Sequence, residues 1–155
     1  MDTLLADLAA ARDATLPFFA ADAAALARSY RPEAGKWTAR QMLFHIADVE
    51  QVFLERLRRI TAEAKPLLLA IDPDRWTTHL IHPARDLRLA GEAFRVARDQ
   101  IIELIRTTPA AHGRSGVHSE KGVLTFTEAA GKALWHNRHH LGQVEAAVAG
   151  RVWTA

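Results

Sequence analysis

The segment TARQMLFHIADVEQVFLERLRRIT, residues 38–61, carries the clearest structural signal in the chain. Thr38 stands three residues before Gln41. At that spacing a Thr hydroxyl and a Gln amide satisfy each other's unpartnered backbone N–H groups, which makes a capping box. With His45 set at 0°, Val49, Met42, Ile60, Phe53, Ile46 and Leu57 fall between about 40° and 120° at 100° per residue. An apolar stripe of that width marks a helix with one face in a core. The segment therefore reads as an amphipathic helix from 39 to about 61, with Trp37 placed to staple onto Met42. His45 lies at the margin of the buried stripe.

Three more segments show the same period. The first runs from about Thr3 to Ser29, and Pro17 inside it predicts a kink or a break into two helices. Another runs from about Arg85 to Arg106. The last starts at a second capping box, Thr125 with Glu128, and ends before Gly150. No segment shows sustained strand alternation. Two connections are long. Residues 62–84 hold Pro66, Pro73, Pro83 and the turn-like Asp72-Pro73-Asp74, and residues 107–124 hold Pro109 and three glycines. A connection as long as 62–84 can traverse a bundle, which lets helices two and three run parallel. The expectation is an all-α four-helix bundle in a single domain, residues 1–155.

Composition narrows the chemistry. A chain of 155 residues buries enough surface for a core of its own, and the absence of cysteine excludes disulfides, thiolate zinc sites and cysteine nucleophiles. It also fits a cytoplasmic protein. The longest run without a charged residue is the nine from Trp76 to Ala84, far short of the ~18 needed to span a bilayer. Asp2 and Asp7 stand where an export signal carries basic residues. Twenty basic and eighteen acidic residues leave a net charge of +2. Acidic neighbours Glu50, Glu55, Glu92 and Asp99 break up the clusters at Arg56, Arg58, Arg59, Arg95 and Arg98. These charges read as solvated helix faces, and no nucleic-acid surface is expected.

Eight histidines are present. With His136 at 0°, the apolar residues of the last helix fall between about 20° and 160°, and His140 lies at about 40°, inside that arc. His139 lies outside it at about −60°, and Gln143 falls beside the His136 and His140 pair. Two imidazoles at i and i+4 share one face, a recognised way to chelate a divalent metal. A third imidazole from another helix would leave positions open for water or substrate. The alternative is that these are hydrogen-bonded core histidines. His79, His82, His112 and His118 fall in irregular stretches and read as loop or surface residues. Asn137 sits at the centre of the apolar arc with no partner evident.

Gly35-Lys36-Trp37-Thr38, then His45-Ile46-Ala47-Asp48-Val49-Glu50, then Gly122-Val123-Leu124-Thr125-Phe126-Thr127-Glu128 and His136-Asn137-Arg138-His139-His140-Leu141-Gly142-Gln143 together resemble the DinB-like superfamily of four-helix bundles. The resemblance covers nearly the whole chain, although the first helix, residues 62–84 and the third helix match in pattern only. It implies an up-down-down-up bundle, a homodimer, and a metal held by His45, His136 and His140. The ion would be divalent, zinc or nickel first. Relatives include thiol S-transferases, a thiol-dependent isomerase and proposed metal-dependent hydrolases. The implied activity is therefore activation of a thiol or of water against a small-molecule substrate, with a low-molecular-weight thiol as a possible cosubstrate. His139 and Asp48 would orient ligands or move protons, or else be ordinary surface residues. A non-catalytic metal- or ligand-binding stress-response bundle, or a structural dimerisation module, would use the same scaffold.

Overall fold

The computed structural model describes residues 1–81 and 83–154, so the expectation for His82 lies outside the described residues. Helices α1 (Asp2–Thr15), α2 (Ala23–Leu26), α3 (Ala39–Ala62), α4 (Pro73–Leu80), α5 (Leu87–Thr107) and α6 (Phe126–Val148) carry the fold. Both capping boxes form at the expected residues, Thr38 with Gln41 and Thr125 with Glu128. The first expected helix breaks at Pro17, where a 3₁₀ turn over Leu16–Ala20 separates α1 from α2. Trp37 packs on the apolar cluster that contains Met42.

Cross-helix contacts fix the directions. Arg40 reaches the carbonyls of Pro83 and Arg85, Glu50 meets Arg98, and Arg58 meets Gln100, so α3 and α5 run parallel. Arg98 meets Leu8 while Phe19 stacks on Phe94, so α1 opposes α5. His45 meets both His136 and His140 while Phe53 meets His136, so α6 opposes α3. The bundle is up-down-down-up. Among the described residues, no helix is long and apolar enough to cross a membrane.

The long connections are more ordered than the sequence suggested. Asp72-Pro73-Asp74 is not a simple turn: Asp72 caps α4, accepting from the Arg75 N–H, and Pro73 takes the first helical position, where its missing donor costs nothing. A small sheet also forms, from strands of two to four residues that are too short to show alternation in the sequence. Strand β1 (Leu67–Leu68) pairs parallel to β2 (Ser115–His118), and β2 pairs antiparallel to β3 (Gly122–Thr125). Gly116 permits the close approach, since a Cβ there would stand 2.9 Å from Leu68 Cδ1. The sheet joins the two connections and roofs one end of the space between α3 and α6.

The core is divided. One cluster gathers Leu8, Phe53, Leu57, Ile101, Phe126 and Ala130, and a second gathers Phe19, Met42, Phe44, Phe94, Val144 and Ala147. Along the helices the buried polar residues Thr15 and Asn137 fall between them, and His45, Glu50 and Arg98 lie within a few residues of the boundary. Glu50 and Arg98 are not on solvated faces, as the charge pattern had suggested. Both are fully buried, and Arg98 Nε and Nη2 donate to the two Glu50 carboxylate oxygens at 2.6 and 2.9 Å. Arg98 Nη1 also donates to the Leu8 carbonyl at 3.2 Å, and Nη2 approaches the Ala133 carbonyl at 3.5 Å. One guanidinium thus touches all four long helices. Asn137 finds its partner here too, donating from Nδ2 to Thr15 Oγ1 at 2.9 Å.

Removing one member of a buried pair strands the other charge, at a cost of about 3–5 kcal/mol, whereas replacing both by apolar residues of similar volume is often neutral. Glu50→Ala and Arg98→Ala should each lower the urea unfolding free energy by about that amount. Glu50→Leu combined with Arg98→Met should recover most of it. A double variant as unstable as either single one would contradict this account.

Candidate metal centre

His45 on α3 and His136 and His140 on α6 converge, and their ligand atoms all lie within 4.8 Å of one another. The geometry follows from two antiparallel helices, one presenting an i, i+4 pair and the other a single imidazole at the same height. His45 Nε2 and His136 Nε2 are 2.9 Å apart. His140 Nδ1 donates to Gln143 Oε1 at 2.8 Å, which leaves the His140 Nε2 lone pair free. A side chain that fixes the far nitrogen of an imidazole in this way is the usual outer support of a metal-binding histidine. Trp37 lies over the cluster, its ring 4.9 Å from His45 and nearly parallel to His140.

Burial keeps the cluster deprotonated. It lowers His45 to about 3, with His140 adding a smaller push, and His140 to about 4, opposed by its bond to Gln143. His136 is held well below the ordinary imidazole value by burial first and then by its neighbouring histidines and Arg98. Three imidazoles with bare lone pairs, unable to protonate near neutral pH, suit a divalent ion. Without an ion, one of the two Nε2 atoms at 2.9 Å must carry a proton. The donor set fits a metal better than it fits a packed core.

His139 lies outside the cluster, as its place on the helix predicts. It stacks on Trp135 at 4.9 Å and meets Trp153 edge-on at 4.9 Å. Trp153 comes this close because residue 142 is glycine, where a Cβ would stand 3.1 Å from the indole nitrogen. Gln143 Nε2 reaches His139 Nε2 at 3.3 Å, so His139 connects to His140 through that one amide. Asp48, open in the sequence between supporting the histidines and lying on the helix surface, pairs with an arginine. It grips Arg85 with both carboxylate oxygens, and Arg85 lies 4.6 Å over the Phe44 ring. Asp48 tethers the chain entering α5 and, among the described residues, bonds no histidine.

The cluster opens into a cavity of about 400 Å³ that is also lined by Trp37, Arg56, Ile71, His118 and Lys121. A larger cavity of about 610 Å³ lies across the 69–72 segment, walled by α3 and α4, but none of its lining residues is a histidine. His118 corrects the sequence expectation. It is buried at the end of β2, and its Nδ1 accepts from the Glu120 N–H at 3.3 Å. The order of β2 would have been needed to see this. Arg56, read as solvated, is likewise buried, donating to the Leu69 carbonyl at 2.6 Å. His112 is a structural residue that bonds the Ile105 carbonyl and stacks on Phe126, and His79 is exposed at the end of α4.

A histidine whose folded pKa is depressed binds fewer protons than it does in the unfolded chain between the two values. Stability then rises with pH across that window. For His45 and His140 the window runs from about 6.5 down to about 3 and about 4. The metal-free protein should therefore lose stability steadily from pH 7 to 5, and His45→Gln or His140→Gln should flatten the slope of urea midpoint against pH. An unchanged slope in both variants would show that these rings are not held neutral.

A profile of the DinB superfamily matches residues 7–144. A provisionally named metal-dependent hydrolase of Oceanobacillus iheyensis, OB0413, is 28% identical over 79% of this chain and 70% of its own length. A second from the same organism, OB0782, is 26% identical over 81% of this chain and 72% of its own. The solved structure of YfiT from Bacillus subtilis, described as a probable metal-dependent hydrolase with an unusual four-helix bundle topology, superimposes with a TM-score of 0.86 at 22% identity, covering 99% of this chain and 88% of that one. The chain belongs to the DinB superfamily.

Proposed function

We propose that this protein is a metal-dependent hydrolase of small molecules, in which His45, His136 and His140 hold a divalent ion, zinc or nickel first. The observation that carries the proposal is the convergence of three neutral imidazoles on one cavity wall, from two rigid helices. The names of the relatives, metal-dependent hydrolases, support the choice of water over a thiol as the nucleophile. A bound ion would supply Lewis acidity and make water nucleophilic near neutral pH.

The chain's own residues do the rest. Burial keeps the three lone pairs free of protons, and Gln143 locks His140 in the tautomer that leaves Nε2 bare. Trp37 shields His45 and His140 from solvent on one side. His118, whose Nδ1 accepts a backbone N–H, carries its proton on Nε2 at the wall of the same cavity. A space of about 400 Å³ suits a small organic substrate rather than a polymer.

The test begins with metal. Zinc titrated into tag-free protein should bind with one ion per chain, and His45→Ala, His136→Ala or His140→Ala should weaken binding about tenfold or more, since loss of an outer support alone reaches that size. His139→Ala should bind nearly as the parent does. Loss of zinc in His139→Ala with retention in His140→Ala would overturn the ligand assignment. Protein reconstituted with zinc or nickel should then hydrolyse members of an ester and amide panel with water as the only nucleophile. Turnover seen only after a low-molecular-weight thiol is added would replace hydrolysis by thiol transfer.

A further inference from the structure

We infer that the cavity beside the three histidines selects substrates that carry an oxyanion, a carboxylate or phosphate, held by Arg56, Lys121 and His118. This deepens the proposed function and rests on it for the identity of the cavity as a substrate site.

Arg56 carries the inference. It is 7% exposed, its Nη2 donates to a backbone carbonyl, and its buried Nε has no partner. No salt bridge is formed by Arg56 among the described residues. A buried guanidinium without a carboxylate is costly, and buried charges are normally paired. The contrast with Arg98, fully paired in the same bundle, is direct. Glu55, next to Arg56 in sequence, lines neither of the cavities that Arg56 lines.

Those two cavities adjoin. The one of about 400 Å³ and a second of about 350 Å³ share Arg56, His118, Lys121 and His136. The second adds Lys132 and no acidic side chain, and the first has Glu120 as its only carboxylate. His118 is kept neutral by burial first and then by Arg56 and Lys121, so its Nε2–H is available to donate. A guanidinium, an ammonium and an imidazole N–H then face a shared space with little opposing charge, an arrangement suited to an oxyanion.

Phe53 lines the second cavity and touches both the histidine cluster and Arg56. Its ring centre lies 5.8 Å from the His136 ring and 5.9 Å from the Arg56 guanidinium.

Benzoate, phenyl phosphate and neutral benzamide titrated into metal-free protein test this without turnover. The readouts are calorimetry and the NMR signal of the Arg56 Nε–H. The expected result is saturable binding of benzoate or phenyl phosphate with a shift of that signal, and much weaker binding of benzamide. The tighter of the two anions identifies the group. Arg56→Met should weaken anion binding about tenfold or more, and Lys121→Glu, on an exposed turn that leaves the fold intact, about fivefold or more. Benzamide binding as tightly as benzoate, or anion affinity unchanged in Lys121→Glu, would overturn the inference. Zinc binding is measured on the same samples. Zinc bound with no anion affinity defeats this inference alone, and anion bound with no zinc affinity defeats the metal reading while leaving the oxyanion site standing.

Discussion

The buried Glu50–Arg98 pair sets the level at which everything else in this bundle is placed. Four-helix bundles with uniform apolar seams can slide by a turn at small cost, because one Leu or Ala layer resembles the next. A bidentate ion pair has one register. Arg98 binds Glu50 across α3 and α5 while its remaining donors reach carbonyls of α1 and α6, so the four helices share one fixed height. His136 lies three residues beyond Ala133, and His45 five residues before Glu50. The imidazoles therefore meet because the charges have met.

The pair also lies close enough to bear on one histidine. Burial first, then the neighbouring histidines and last the Arg98 guanidinium disfavour a positive charge on His136. The division of the core into two apolar clusters follows from this polar belt, whose members could not be dispersed without stranding each other. Thr15 and Asn137 complete the belt from α1 and α6. Polar residues in the middle of a helical bundle cost stability. Here they occupy the level at which the cavity is built.

Much of this was legible in the sequence, for identifiable reasons. Capping boxes at Thr38 and Thr125 and the 3.6-residue period located α3, α5 and α6 within a residue or two, since both signals are local, whereas the first segment, expected over 3–29, ends as α1 at Thr15. The phase of α6 separated His140 from His139 because the helix is regular. What escaped notice depended on distant partners. Arg98, Arg56 and Glu50 are charged residues at helical spacings with charged neighbours, and sequence spacing cannot show that Arg98 reaches Glu50 forty-eight residues away. His118 was read as a surface residue because a four-residue strand offers too few positions to show alternation. Asp72 and Pro73 did carry a signal, an N-cap followed by proline at the first helical position, which reads equally well as a turn.

The two walls of the candidate site differ in origin, and that difference bears on what can vary. The imidazoles stand on α3 and α6, the most regular elements, braced by an ion pair and two capping boxes. Most of the facing wall comes from the 69–73 segment and the β2–β3 turn. Backbone on such connections tolerates substitution and insertion far better than a packed helix face does. The imidazoles are thus positioned by packed helices, and the wall that faces them by connecting segments. Arg56 sits at the join: it grows from α3, yet its guanidinium is held by the Leu69 carbonyl of the 69–73 segment. A change in that segment would move a charge in the cavity without moving a histidine.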